Sequence, residues 1–127
     1  MRRRIATPTV WQLTDPVRQA VLVPRVTVAR TPWRRALGLL GRRALAAGEG
    51  LWLEPCAAVH TWGMRFAIDA VFLDAGGTVM RVVTLSPWRM VWTPGARSVL
   101  ELSAGAAAAA GLDAGRVVGL ARTDAAA

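Results

Sequence analysis

A mainly β fold, an antiparallel β-sandwich or small barrel with two short helices (about 32–44 and 104–112), is predicted by three features of this 127-residue chain. Short runs rich in β-branched residues recur at fairly even spacing, and Gly and Pro turn signals divide them. The regularly alternating helices of about 10 to 15 residues that a doubly wound parallel sheet requires are missing. No internal repeat points to a solenoid or propeller.

Composition supports one packed domain. Hydrophobic residues make up 54% of the chain and charged residues 19%, far from the regime of disordered sequences. The expected division is an irregular lead-in over 1–18, a single β-rich domain over 19–122 and a disordered tail over 123–127. A formal charge of +8 comes from sixteen arginines and no lysine. The arginines are scattered and no nucleic-acid-binding signature accompanies them, so the basic charge implies only nonspecific contact with polyanions. No apolar run is long enough for a membrane span, the basic start Met1–Arg4 is not followed by an export-type apolar core, and a single cysteine forms no internal disulfide. A cytoplasmic location is the resulting expectation.

In chain order, Thr7 to Pro16 reads as lead-in with a short edge strand near Val10 to Leu13. Gln19 to Arg30 alternates as a strand interrupted at Pro24, whose missing N–H suggests an edge. At Thr31-Pro32 the apolar period lengthens to about 3.6. This marks a helix with Thr31 as N-cap, with Trp33, Leu37, Leu40 and Ala44 on one face and Arg34, Arg35, Arg42 and Arg43 on the other. Gly50 to Leu53 begins a strand that Pro55 breaks. Phe66 to Asp74 and Thr78 to Leu85 form a hairpin across the Asp74–Gly77 turn. Ser86 to Gly95 reads as a loop carrying Trp88 and Trp92, followed by a strand over Arg97 to Leu102. An alanine helix over Ala104 to Leu112 and a last strand over Arg116 to Ala121 complete the order.

Chemistry concentrates in Leu51 to Asp74, which holds the only cysteine, the only histidine, two of the six tryptophans and both phenylalanines. Cys56, His60 and Met64 are ligand types a soft metal accepts. On an extended chain, however, residues four apart stand about 13 Å from one another, so they do not share an ion, and neither metal nor cofactor is expected. The same spacing separates Cys56 from His60 as nucleophile and base, with Glu54 or Asp69 as the orienting carboxylate. Strand parity places His60, Trp62, Met64, Phe66 and Ile68 on one face, and Arg65, Ala67 and Asp69 on the other. His60 then falls in an apolar, core-facing row. Asp69 stands on an apolar face and needs a partner, for which Arg65, Arg30, Arg81 and Arg97 are candidates.

The runs RTPWRRALGLLGR (30–42), EPCAAVHTWGMRFAIDAVFLD (54–74) and GARSVLELSAG (95–105) resemble the domain of unknown function 192 family over about Val26 to Val118. The resemblance implies a β-rich fold and no established activity. His60, Thr61, Gly63, Met64, Arg65, Phe66, Ile68, Asp69, Phe72, Leu73 and Asp74 match its central motif. Trp62 stands where phenylalanine is common and Ala67 where proline is common; both changes reshape an apolar wall without removing a polar group. The leading expectation is a noncatalytic module binding a small polar or anionic ligand, or a peptide, where His60, Trp62, Arg65 and Asp69 converge in a concave site. The alternatives are an enzyme using Cys56 with His60, or His60 with Asp69, and a basic nucleic-acid-associated protein.

Overall fold

The computed structural model describes residues 10–30 and 45–123. The helix expected over 32–44 lies outside the described residues. Nine strands and one short helix make up the described part: β1 (Val10–Thr14), β2 (Val21–Ala29), β3 (Glu49–Leu53), β4 (Ala58–His60), β5 (Ile68–Leu73), β6 (Val79–Leu85), β7 (Met90–Trp92), β8 (Ser98–Ser103), α1 (Ala106–Ala109) and β9 (Gly119–Thr123). The fold is mainly β. Seven strands form one sheet in the order β6-β5-β8-β3-β2-β1-β9, and β4 pairs with β7 in a separate ribbon. Every pairing is antiparallel except β2 with β3.

The large sheet does not close into a barrel, yet its outer strands are tied at one end. An isolated bridge joins Thr78 to Val117. Beside it the Val79 N–H donates to the Arg116 carbonyl (2.8 Å) and the Val118 N–H to the Gly77 carbonyl (3.0 Å). Gly77 has φ +83°, and a Cβ there would lie 2.5 Å from the Val118 oxygen, so only glycine allows this approach.

Both faces of the sheet are covered, which is why all six residues of β5 are buried. On one face Val26, Trp52, Val71, Leu73, Leu100 and Leu102 pack with Ala107 of α1 and with Leu112. On the other, Leu51, Leu53, Ile68, Ala70, Phe72 and Val99 pack under Val59 of β4, with Met64, Leu45 and Val91. These are the helix face and the ribbon face. Burying a side chain such as Phe72, Ile68 or Val99 completely contributes about 1.5–3 kcal/mol each, so the ribbon is held to the sheet by ordinary apolar burial.

Four local expectations change. β1 is not an edge: it lies between β2 and β9. β2 is internal as well, because Pro24 falls where the register slips from Trp11↔Val26 to Leu13↔Val23, a bulge that tolerates the missing donor. The segment 86–95 contains the strand β7, and Thr123 pairs with Val10 as part of β9.

Candidate functional site

Thr61 organises the surface that carries the rare side chains. It is completely buried, and its hydroxyl donates to the Ser86 carbonyl (2.7 Å) while accepting the Arg89 N–H (2.9 Å). Its own N–H donates to the Arg89 carbonyl (2.8 Å), and its carbonyl accepts the N–H groups of Trp88 (3.0 Å) and Met64 (3.2 Å). One residue thus binds the loop after β4 to the loop before β7. Trp88 is held at φ +65°, a conformation costly for a bulky side chain, and Gly63 at φ +78° turns the chain out of the strand.

That turn is why strand parity fails here. β4 ends at His60, so the alternation expected through Ile68 is interrupted, and His60 is exposed instead of facing the core. Its imidazole stacks on Trp62, with ring centroids 4.8 Å apart and planes tilted by 31°. Trp62 is 50% exposed, Trp88 67%, Met90 58% and Trp92 64%, whereas Val59 and Met64 point inward. Because His60 lies opposite Met90 and Ala58 opposite Trp92, these side chains share the outer face of the ribbon. Apolar exposure gathered in this way is unusual for a surface without a partner.

The electrostatics are one-sided. Residues 55–68 and 75–100 contain Arg65, Arg81, Arg89 and Arg97 and no carboxylate. All four arginines are exposed, and none makes an ion pair among the described residues.

Asp69 is not part of this surface. It lies on the helix face, 2% exposed, and its expected arginine partner is replaced by neutral donors. The Thr84 hydroxyl donates to Oδ1 (2.6 Å), and the backbone N–H groups of Gly105 and Ala107 donate to Oδ2 (3.0 Å each). The carboxylate caps α1 and ties it to β5 and β6. His60 and Asp69 therefore stand on opposite faces of the sheet and do not form an acid–base pair. The Cys56 thiol donates to the Ala58 carbonyl (3.0 Å), and Met64 is buried, so Cys56, His60 and Met64 do not converge on one point. Cavities of about 480 Å³, beside Glu49, Ser103 and α1, and about 320 Å³, beside Asp69 and Thr84, are lined by none of His60, Trp62 and Arg65.

The sequence reading missed Glu101. It lies at the centre of β8, 5% exposed, with Leu51 and Ala70 as its cross-strand neighbours on the ribbon face. Its Oε2 has no hydrogen-bond partner among the described residues, and burial pushes the carboxyl up to about 7. The signal that flagged Asp69, a carboxylate inside an apolar run, is equally present in Val99-Leu100-Glu101-Leu102. The exposed Trp88, Met90 and Trp92 also escaped notice as site residues, because nothing in the sequence pairs them with His60.

Comparison with known proteins agrees with this architecture. The profile of the DUF192 family, described as uncharacterised, matches residues 14–120. A UPF0127 protein of Pyrococcus horikoshii is 37% identical over 76 residues, 58% of this chain and 65% of the relative, so the match spans about two-thirds of that protein's length. Two crystal structures share the fold. A protein of unknown function from Novosphingobium aromaticivorans aligns with a TM-score of 0.73 at 25% identity, over 87% of this chain and 83% of the other. A candidate transcription regulator from Sinorhizobium meliloti aligns with a TM-score of 0.72 at 22% identity, over 90% and 92%.

Proposed function

We propose that this chain, which belongs to the domain of unknown function 192 family, is a noncatalytic binding module that receives an anionic ligand on the outer face of the β4–β7 ribbon. The observation that carries the reading is the stacked, exposed His60–Trp62 pair, contiguous with Met90 and Trp92, with exposed Arg65 and Arg89, which make no ion pair among the described residues, close by in the chain. Indole and imidazole rings supply apolar area with few torsions to freeze, and guanidinium groups supply directional donors for carboxylate or phosphate oxygens. Asp69 fixes α1 against β5 on the opposite side of the sheet and takes no part in this binding.

Indole N–H resonances test this directly. Titration of ¹⁵N-labelled protein with inorganic phosphate, succinate and a glutamate-rich peptide is expected to shift the signals of Trp62, Trp88 and Trp92 and leave buried Trp52 in place. Unmoved signals from all three exposed indoles would remove the proposal. A duplex DNA arm addresses the basic net charge: binding lost on moderate salt addition, with no sequence preference, is the expectation for diffuse charge attraction.

A further inference from the structure

Among the described residues, the ribbon has an open backbone edge as well as an aromatic face. In an antiparallel pair, residues alternate between turning both backbone polar groups toward the partner strand and turning both away. The Thr93 N–H donates to the Ala57 carbonyl and the Thr61 N–H to the Arg89 carbonyl, so 57, 59 and 61 face 93, 91 and 89 across the ribbon. Residues 58, 60, 90 and 92 therefore direct their N–H and C=O groups outward. On the β4 side the Ala58 carbonyl already accepts the Cys56 thiol. On the β7 side, Met90 and Trp92 have no hydrogen-bond partner for these outward groups among the described residues, while their side chains are exposed.

From this edge we infer that the ligand of the ribbon is an extended acidic peptide segment that adds to β7 as a third strand. The inference rests on the outer face of the ribbon being the binding surface, as proposed above. Added strand residues would satisfy the outward groups of Met90 and Trp92, the mode by which sheet edges recruit peptides. Alternate side chains of the peptide would lie against Trp88, Met90 and Trp92, and acidic side chains would meet Arg89 and Arg65. Charge selects among occupants. A second copy of this chain would bring Arg89 against the same basic, carboxylate-free surface, and like charges at a contact are disfavoured. A lipid surface accommodates tryptophan and arginine but supplies no in-line partners for a strand edge.

The test uses a capped hexapeptide, Glu-Val-Glu-Val-Glu-Val, and two derivatives N-methylated at alternate positions. Edge pairing predicts that one derivative binds at least about tenfold more weakly than the parent, whereas the other, whose methyl groups point away from β7, binds like the parent. The double variant Arg65→Gln/Arg89→Gln is expected to flatten the salt dependence while leaving the parity effect intact. Equal binding of the two derivatives would overturn strand addition while leaving the face as the binding surface. Shifts of Trp62, Trp88 and Trp92 with phosphate or succinate but not with the peptide would overturn the partner class alone. Binding to vesicles containing phosphatidylglycerol, or a dimer in sedimentation experiments that blocks the peptide, would assign the edge to lipid or to a second copy and overturn the inference. Silence of all three indoles toward every probe would take the binding-surface reading down with it.

Discussion

Asp69 and Glu101 occupy adjacent central strands, β5 and β8, and both are almost completely buried, but their surroundings differ in kind. Asp69 receives three hydrogen bonds from a hydroxyl and two backbone N–H groups. Glu101 has leucine and alanine for cross-strand neighbours and an oxygen without a hydrogen-bond partner among the described residues. The contrast shows that an acidic side chain can be buried in an apolar sheet without an arginine partner when a hydroxyl and backbone N–H groups are delivered to it. At Glu101 burial favours the protonated form instead.

Removing Asp69 is the strongest way to break this contrast. Asp69→Ala leaves the Thr84 hydroxyl and the Gly105 and Ala107 N–H groups without their acceptor, and each buried donor left unsatisfied costs about 1–3 kcal/mol without adding fully. Denaturant unfolding is expected to show a loss of about 4 kcal/mol. A loss under about 1 kcal/mol would mean that the two carboxylates are equivalent after all.

Glu101 sharpens the contrast through pH. Burial pushes its carboxyl up to about 7, above the ordinary value of 4.5, so the unfolded chain ionises at lower pH than the folded one. The stabilising contribution is complete below pH 4.5 and is lost as pH rises toward 7. Wild-type stability should fall by about 3 kcal/mol across that window, and Glu101→Gln should abolish this component of the slope. Unchanged slopes in wild type and variant would show that Glu101 is solvated or paired in solution.

Smaller effects belong to the ribbon. Thr61→Val keeps the volume but removes a hydroxyl that both donates and accepts, at an expected cost of about 2 kcal/mol, with increased mobility of Trp88 seen in ¹⁵N relaxation of its indole. Least of all, Trp88→Gly relieves a positive φ at an exposed position, so stability should stay constant or rise by up to about 1 kcal/mol while peptide binding weakens.

Legibility in the sequence followed the range of the forces involved. The β5–β6 hairpin was readable because period-two alternation and the Asp74–Gly77 turn are both local; the Asp74 carboxylate accepts the N–H groups of Gly76 and Thr78 within that turn. α1 was readable from its alanine run. β7 was not, since three residues between Pro87 and Pro94 leave no alternation to detect and its partner lies some thirty positions earlier. Asp69 stood out as an acidic residue in an apolar strand, but two of its three donors are backbone N–H groups at the start of α1, which carry no side-chain signature; only the third, the Thr84 hydroxyl across the hairpin, is a side chain. His60 was misplaced because parity was carried through Gly63, where the strand has already ended.

The pairing of β9 with β1 places Thr123 beside Val10, and the Thr123 hydroxyl donates to the Val10 carbonyl (2.6 Å). The sheet is therefore completed by a strand that leaves the ribosome more than a hundred residues after its neighbour. Until then β1 presents an unsatisfied edge to other nascent chains, and truncation before Gly119 would make that exposure permanent, with aggregation as the expected result. Late docking of β9 makes solubility during synthesis depend on a strand made more than a hundred residues after the neighbour it covers.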